Sequence, residues 1–325
     1  MELEPILLCM IAVPNSIIAY FQQSNLNSSQ VSQKHRPTVG VIRWDAWNLF
    51  NGDYDPISFY LHRALSPEIF HYRLPFYATI NSPTNISFNG DLQDVMDQEL
   101  VYAAHAGLDY WAFDTYCTFG PNCTTNSSFC SQYYQQTSNI YCPRNPAYGL
   151  NQYLSSKYNS LMKFTLLLLG SPPCDPTFQE RYLDLMQHPQ FQTVLEGRPL
   201  LYLFQFSDAE ANACGGGWSG SGEVFHKFRQ LAINRGWDPR PRAQNPVPWV
   251  IEGPEHYFQA TGKEVQELIQ RAVNFTCKYN DTAEAQTIIF YAWNESSENG
   301  ASLIPSIGNG SLYVDALSDV LPMYC

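Results

Sequence analysis

Two carboxylates, Glu295 and Glu298, stand three residues apart in the segment Tyr291 to Gly300, YAWNESSENG. The segment closes an apolar run, Thr287 to Trp293, so both acids fall where a buried strand meets solvent. Two carboxyl groups flanking a glycosidic bond can cleave it: one, protonated, assists the leaving oxygen, and the other, ionised, serves as base or nucleophile. Spacing alone does not separate this chemistry from a solvated acidic loop.

Other apolar runs end in residues of similar character. Arg43, Trp44, Asp45 and Trp47 follow the run Val39 to Trp44, and Asp114 and Tyr116 follow Leu108 to Phe113. Gln205 and Asp208 lie near the end of Pro199 to Phe206, and Asn294 follows Trp293. Flat rings stack on the C–H faces of sugars, while carboxylates and amides take hydroxyl groups, so this inventory fits a carbohydrate site. Trp44 and Trp293 either stack on substrate or fill the mouth of the fold. Asp114 and Tyr116 bind sugar hydroxyls, or Asp114 caps the following turn. Asp238, Arg240 and Arg242 read first as an ion-pair set holding a loop, with Asp238 still in reach of substrate. The candidate set is therefore Glu295 and Glu298 as catalytic groups, with Trp44, Asp114, Tyr116, Asp238, Trp293 and Asn294 as substrate-binding groups.

The runs, with Lys163 to Leu169 as a further member, are continuous rather than alternating, the mark of strands buried on both faces of a parallel sheet. Helical stretches separate them: Asp91 to His105, Leu150 to Leu161, Glu223 to Asn234 and Lys263 to Asn274. This predicts an α/β fold, a (β/α)₈ TIM-type barrel, with a doubly wound sheet as the alternative; either places ligands at the carboxyl ends of the strands. Only five runs are convincing, and Trp249 to Glu252 is a weak sixth. The shortage falls between Phe206 and Thr287, where a regular barrel needs several βα units, so the expectation is a barrel lacking about two βα units near Arg235.

Three separated motifs resemble glycoside hydrolase family 99 and its WbsX-like relatives. They are WNExxE from Trp293 to Glu298, GLDYWAFD from Gly107 to Asp114, and GWDPRPR from Gly236 to Arg242, in a span of about Val39 to Leu321. The resemblance implies a (β/α)₈ barrel and retaining, endo-acting cleavage of α-mannosidic linkages. It also implies that Glu295 is the base on the substrate 2-hydroxyl, with an anhydro-sugar intermediate, and that Glu298 is the general acid. The hydrolases usually carry an aromatic after the first Glu and a Glu-Gly pair further on; here Ser296, Ser297 and Glu298-Asn299-Gly300 stand in those places. That departure bears on mannoside specificity and leaves a catalytically impaired carbohydrate-binding protein of the same fold as the alternative function.

Nine cysteines and eight Asn-x-Ser/Thr sequons point to a disulfide-bonded, glycosylated protein of the secretory route. Cys117, Cys123, Cys130 and Cys142 cluster in an expected insertion at 115–145. The apolar runs Ile6 to Val13 and Ile17 to Phe21, with the polar stretch that follows, read as a signal peptide and leader over 1–29, ahead of one barrel domain over 30–325. Thirty acidic against 18 basic residues, a net charge of −12, argue against nucleic acid as partner. No further run is long enough to span a bilayer. No spacing of His or Cys suggests a metal, and no glycine pattern suggests a nucleotide, so no cofactor is expected.

Overall fold

The computed structural model describes residues 9–10, 36–50, 53–54, 56–115, 148–169, 185–195, 197–204, 241, 244–245, 256, 258–297 and 302–325. Five parallel strands are β2 (Thr38–Arg43), β3 (Tyr110–Thr115), β4 (Lys163–Leu169), β5 (Leu201–Phe204) and β6 (Thr287–Phe290), in the order β6-β2-β3-β4-β5. A two-residue strand β1 (Cys9–Met10) lies antiparallel on the outer edge of β5, Cys9 opposite Leu203. Each expected apolar run produces one parallel strand, with its ends moved by at most three residues. Consecutive strands are neighbours and the last pairs with the first, Thr287 opposite Thr38. A doubly wound sheet instead reverses its strand order at a switch point.

The two faces of the sheet divide the core. Val39 and Val41 on β2, Trp111 and Phe113 on β3, and Phe164 and Leu166 on β4 face the helices α1 (Gln93–His105), α3 (Gly262–Lys278) and α4 (Leu312–Ser318). Ile42, Tyr110, Ala112, Leu167 and Tyr202 line the other face. There the Tyr110 hydroxyl of β3 meets both the Tyr202 hydroxyl of β5 and the Thr287 hydroxyl of β6, each at 2.6 Å. In a flat sheet β5 and β6 would stand four strand spacings apart, roughly 19 Å. Their meeting on one hydroxyl requires the sheet to curl, with Tyr110 on the concave side. Contacts between side chains of alternate strands are the way the interior of a parallel barrel is layered. Gly40 on the intervening strand makes room: a Cβ there would lie 2.1 Å from the Tyr110 ring. The molecule is thus a mixed α/β fold around a curled, half-barrel sheet of five parallel strands.

Local chemistry places the covering helices. Helix α3 starts at a reciprocal cap, in which Thr261 Oγ1 accepts from the Glu264 backbone N–H and the Glu264 carboxylate accepts from the Thr261 backbone N–H. Its buried stripe, Val265, Ile269, Val273 and Thr276, has helical spacing. At its far end Cys277 is bonded to Cys325, closing a loop of sequence separation 48. By chain-entropy scaling a cross-link of that length contributes about 4 kcal/mol. Cys277→Ser is therefore expected to lower the urea midpoint under oxidising conditions and to leave it unchanged under reducing conditions; equal midpoints for variant and parent in both would contradict this.

The expected helix Glu223 to Asn234, the weak strand Trp249 to Glu252, the cysteine cluster in 115–145 and the expected junction at Arg235 lie outside the described residues. Of the expected leader over 1–29, Cys9 and Met10 alone are described.

Candidate active site

At the carboxyl end of β2 the chain runs through Arg43, Trp44, Asp45, Ala46, Trp47 and Asn48, all buried. Arg43 points toward the helices, with the same parity as Val39 and Val41. Its Nε donates to Glu99 Oε2 of α1 at 2.8 Å, and its Nη1 stands 3.5 Å from Asp45 Oδ1. The guanidinium also lies over the rings of Trp111 and Phe113, 5.5 and 5.7 Å from their centroids. Asp45 accepts the Gly149 N–H on both oxygens at 3.1 Å, which ties the first turn of α2 (Tyr148–Ser155) to the end of β2. Burial pushes the Glu99 and Asp45 carboxyls above the usual range, against the pull of Arg43 on each. Burial also works against the Arg43 charge, and the two carboxylates more than offset it. One cation cannot neutralise two buried anions, so the cluster favours taking up a proton.

Asn294 joins the ends of β6 and β2. Its Oδ1 accepts the Trp44 N–H at 2.9 Å, its Nδ2 donates to the Trp44 carbonyl at 2.7 Å, and its own carbonyl accepts Trp47 Nε1 at 3.0 Å. The Trp293 N–H donates to the Ile42 carbonyl. The amide thus extends the β6–β2 pairing past the last regular strand residue. Asn294 is fully buried, so the nitrogen that a sequon glycan would occupy is spent inside the protein. Asn85, Asn274 and Asn280 are exposed.

Glu295 follows directly and is 7% exposed. Its Oε2 accepts the Tyr291 hydroxyl at 2.5 Å, and Tyr291 itself is 38% exposed. Between them the Tyr291–Ala292 peptide bond is cis. Asp114, near the end of β3, shares the parity of Tyr110 and Ala112, which places it on the concave face at the same end of the sheet. The structure therefore gathers Trp44, Asp114, Trp293, Asn294 and Glu295 at the carboxyl ends of neighbouring strands β6, β2 and β3. Trp44 and Trp293 are 5% and 0% exposed, and Trp293 packs on Trp111 with ring centroids 5.8 Å apart. Ser296 and Ser297, which follow Glu295, are buried. Glu298, Tyr116 and Asp238 lie outside the described residues.

Sequence reasoning passed over Glu99 and Tyr291. A charged residue inside the apolar stripe Val95, Met96, Glu99, Leu100 and Ala103 is the signal that marks Glu99 as a buried ion-pair partner. Tyr291 offered no such signal, because its hydroxyl contact depends on the path of the chain after β6. Among the described residues no group of three or more His, Cys, Asp or Glu could hold a metal ion.

No protein-family model matches the chain, and no curated protein matches it. Among solved structures the chain is similar to a glycoside hydrolase-like protein, at 11% identity and a TM-score of 0.42, over 93% of this chain and 98% of that one.

Proposed function

We propose that this chain is a glycoside hydrolase of the secretory route, acting with retention on an α-linked, mannoside-like glycan. Glu295 is its base and Glu298 its general acid. The observation that carries the proposal is the placement of Glu295: a nearly buried carboxylate at the carboxyl end of a curled parallel sheet, hydrogen-bonded by Tyr291, with Asp114 at the same end of the concave face. Parallel α/β folds bind their ligands at this end. The β6–β2 pairing and the shared Tyr110 hydroxyl support a TIM-type barrel as the parent architecture, which in this chain lacks about two βα units near Arg235.

Base catalysis by Glu295 needs a carboxylate of fixed orientation, and the Tyr291 hydroxyl that donates to it at 2.5 Å supplies that constraint. Glu295 takes the proton of the substrate 2-hydroxyl as that oxygen closes on the anomeric carbon. Glu298 gives its proton to the leaving oxygen, and water then opens the anhydro-sugar with the proton movements reversed. Asp114 takes a sugar hydroxyl. Asn294 serves the site by fixing the strand end from which Glu295 projects.

Support for the secretory route comes from the Cys277–Cys325 disulfide, since such bonds persist in oxidising compartments, and from the three exposed sequons. No described helix is long and apolar enough to cross a membrane. Incubation with α-linked manno-oligosaccharides, followed by chromatography of the products, tests the proposal. Product formation is expected; glycan binding without product would leave a carbohydrate-binding protein instead.

A further inference from the structure

We propose that Tyr291 is at once the sugar-facing aromatic ring of this site and the residue that positions Glu295. The inference rests on the glycosidase reading above and adds to it a residue that sequence reasoning passed over. An accessible ring is a common element of carbohydrate sites, because sugar C–H faces stack on aromatic surfaces. The rings first in line for that role are withdrawn: Trp293 is fully buried against Trp111, and Trp44 and Trp47 are buried at the end of β2. Phe113 at the end of β3 is buried as well. Among the described aromatic residues at the carboxyl ends of β2, β3 and β6, Tyr291 is the one with substantial exposure, 38%.

That half-exposed ring ends in a hydroxyl bonded to the carboxylate of Glu295. An O–H donor on an ionised carboxylate makes a short, strong bond, and 2.5 Å is at the short end of that range. The contact fixes the rotation of the carboxylate about its last torsion, which in a glutamate is otherwise broad. One side chain thereby couples the two requirements of the site: a sugar lying on the ring sits beside the carboxylate that the same residue orients. Removing the hydroxyl and removing the ring should then have separable effects.

Kinetics on an α-linked mannotetraose provide the first test. Tyr291→Phe keeps the ring and loses the donor, so kcat is expected to fall by roughly 10- to 100-fold, the range for a hydrogen bond to a charged group, with KM within about twofold. Tyr291→Ala loses both, and KM is expected to rise in addition by roughly 2- to 10-fold, the range for an aromatic contact. A Phe variant with parental kcat, or an Ala variant with parental KM, overturns the corresponding role. Isotope-edited infrared spectra give a readout that needs no substrate. The Glu295 carboxylate stretch, identified as the band lost in Glu295→Gln, is expected to shift in Tyr291→Phe, and an unshifted band overturns the positioning role. If the wild-type protein neither cleaves nor binds the mannotetraose while the band does shift, the glycosidase reading and the ring role fail and the Tyr291–Glu295 coupling stands.

Discussion

Glu295→Gln is expected to lower kcat on an α-linked manno-oligosaccharide by roughly 10²- to 10⁴-fold with little change in KM, the range for loss of a general acid–base group. In free energy that is roughly 3–5 kcal/mol of transition-state stabilisation. The substitution preserves the size and shape of the side chain and removes its basicity. The amide can still accept the Tyr291 hydroxyl now bonded to Oε2, so the fold and the site wall should persist, and thermal unfolding should stay close to that of the parent. A variant retaining more than about a tenth of the parental kcat would remove Glu295 from the chemistry. A variant that fails to fold would show instead that the carboxylate is held for structure.

Arg43→Met carries the largest expected effect on stability. Glu99 and Asp45 are both buried beside Arg43, and methionine fills similar space without charge. Removing one partner of a buried ionic group typically costs roughly 3–5 kcal/mol, because the remaining charges stay desolvated without compensation. The cation also lies over Trp111 and Phe113, and that attraction is lost with it.

The loss should depend on pH in a definite direction. Burial already holds the Glu99 and Asp45 carboxyls above their ordinary pKa values in the folded protein, and without Arg43 both move further up. A carboxyl whose folded pKa is raised binds protons more tightly native than unfolded, so stability falls as pH rises from the ordinary carboxylate range through the raised value. The Arg43→Met penalty is therefore largest near neutrality and shrinks as the pH is lowered toward the range just above 4.5. Urea unfolding of parent and variant in half-unit pH steps measures this. A penalty under about 1 kcal/mol at pH 7, or one that grows on acidification, would mean that the three groups do not form the electrostatic unit described above.

The sheet was readable in the sequence because its strands are buried on both faces and appear as unbroken apolar runs. Lys163 to Leu169 and the start of the last run at Thr287 match the observed strands at those residues. Strand ends elsewhere drift because the polar residues that end a run can still take part in the ladder, as Asp114 and Thr115 do against Leu167 and Leu168. A curled sheet is expected from the barrel reading, but what holds the curl was not readable. The curl rests on Tyr110, Tyr202 and Thr287 meeting across the concave face, and these residues are separated by 92 and 177 positions along the chain.

At the site, residue type and strand-end position were enough to collect Trp44, Asp114, Trp293, Asn294 and Glu295. They were not enough to say which ring faces solvent. Trp293 is buried because its N–H pairs with Ile42 and its indole turns toward Trp111, and both contacts come from strands far off in sequence. Asn294 looks like a hydroxyl-binding amide in the sequence; in the fold both ends of its side chain close on the Trp44 peptide groups. Each of these outcomes depends on how β6 meets β2, a pairing that joins the two ends of the sheet's chain order.

The most direct measurement is ¹H NMR of the wild-type protein incubated with an α-linked mannotetraose, following the anomeric signals of the first product formed. Release of a new reducing end that appears first as the α-anomer and then mutarotates is expected from a retaining enzyme that uses Glu295. Appearance of the β-anomer first, or no new reducing end over a time in which the protein remains folded, would contradict it.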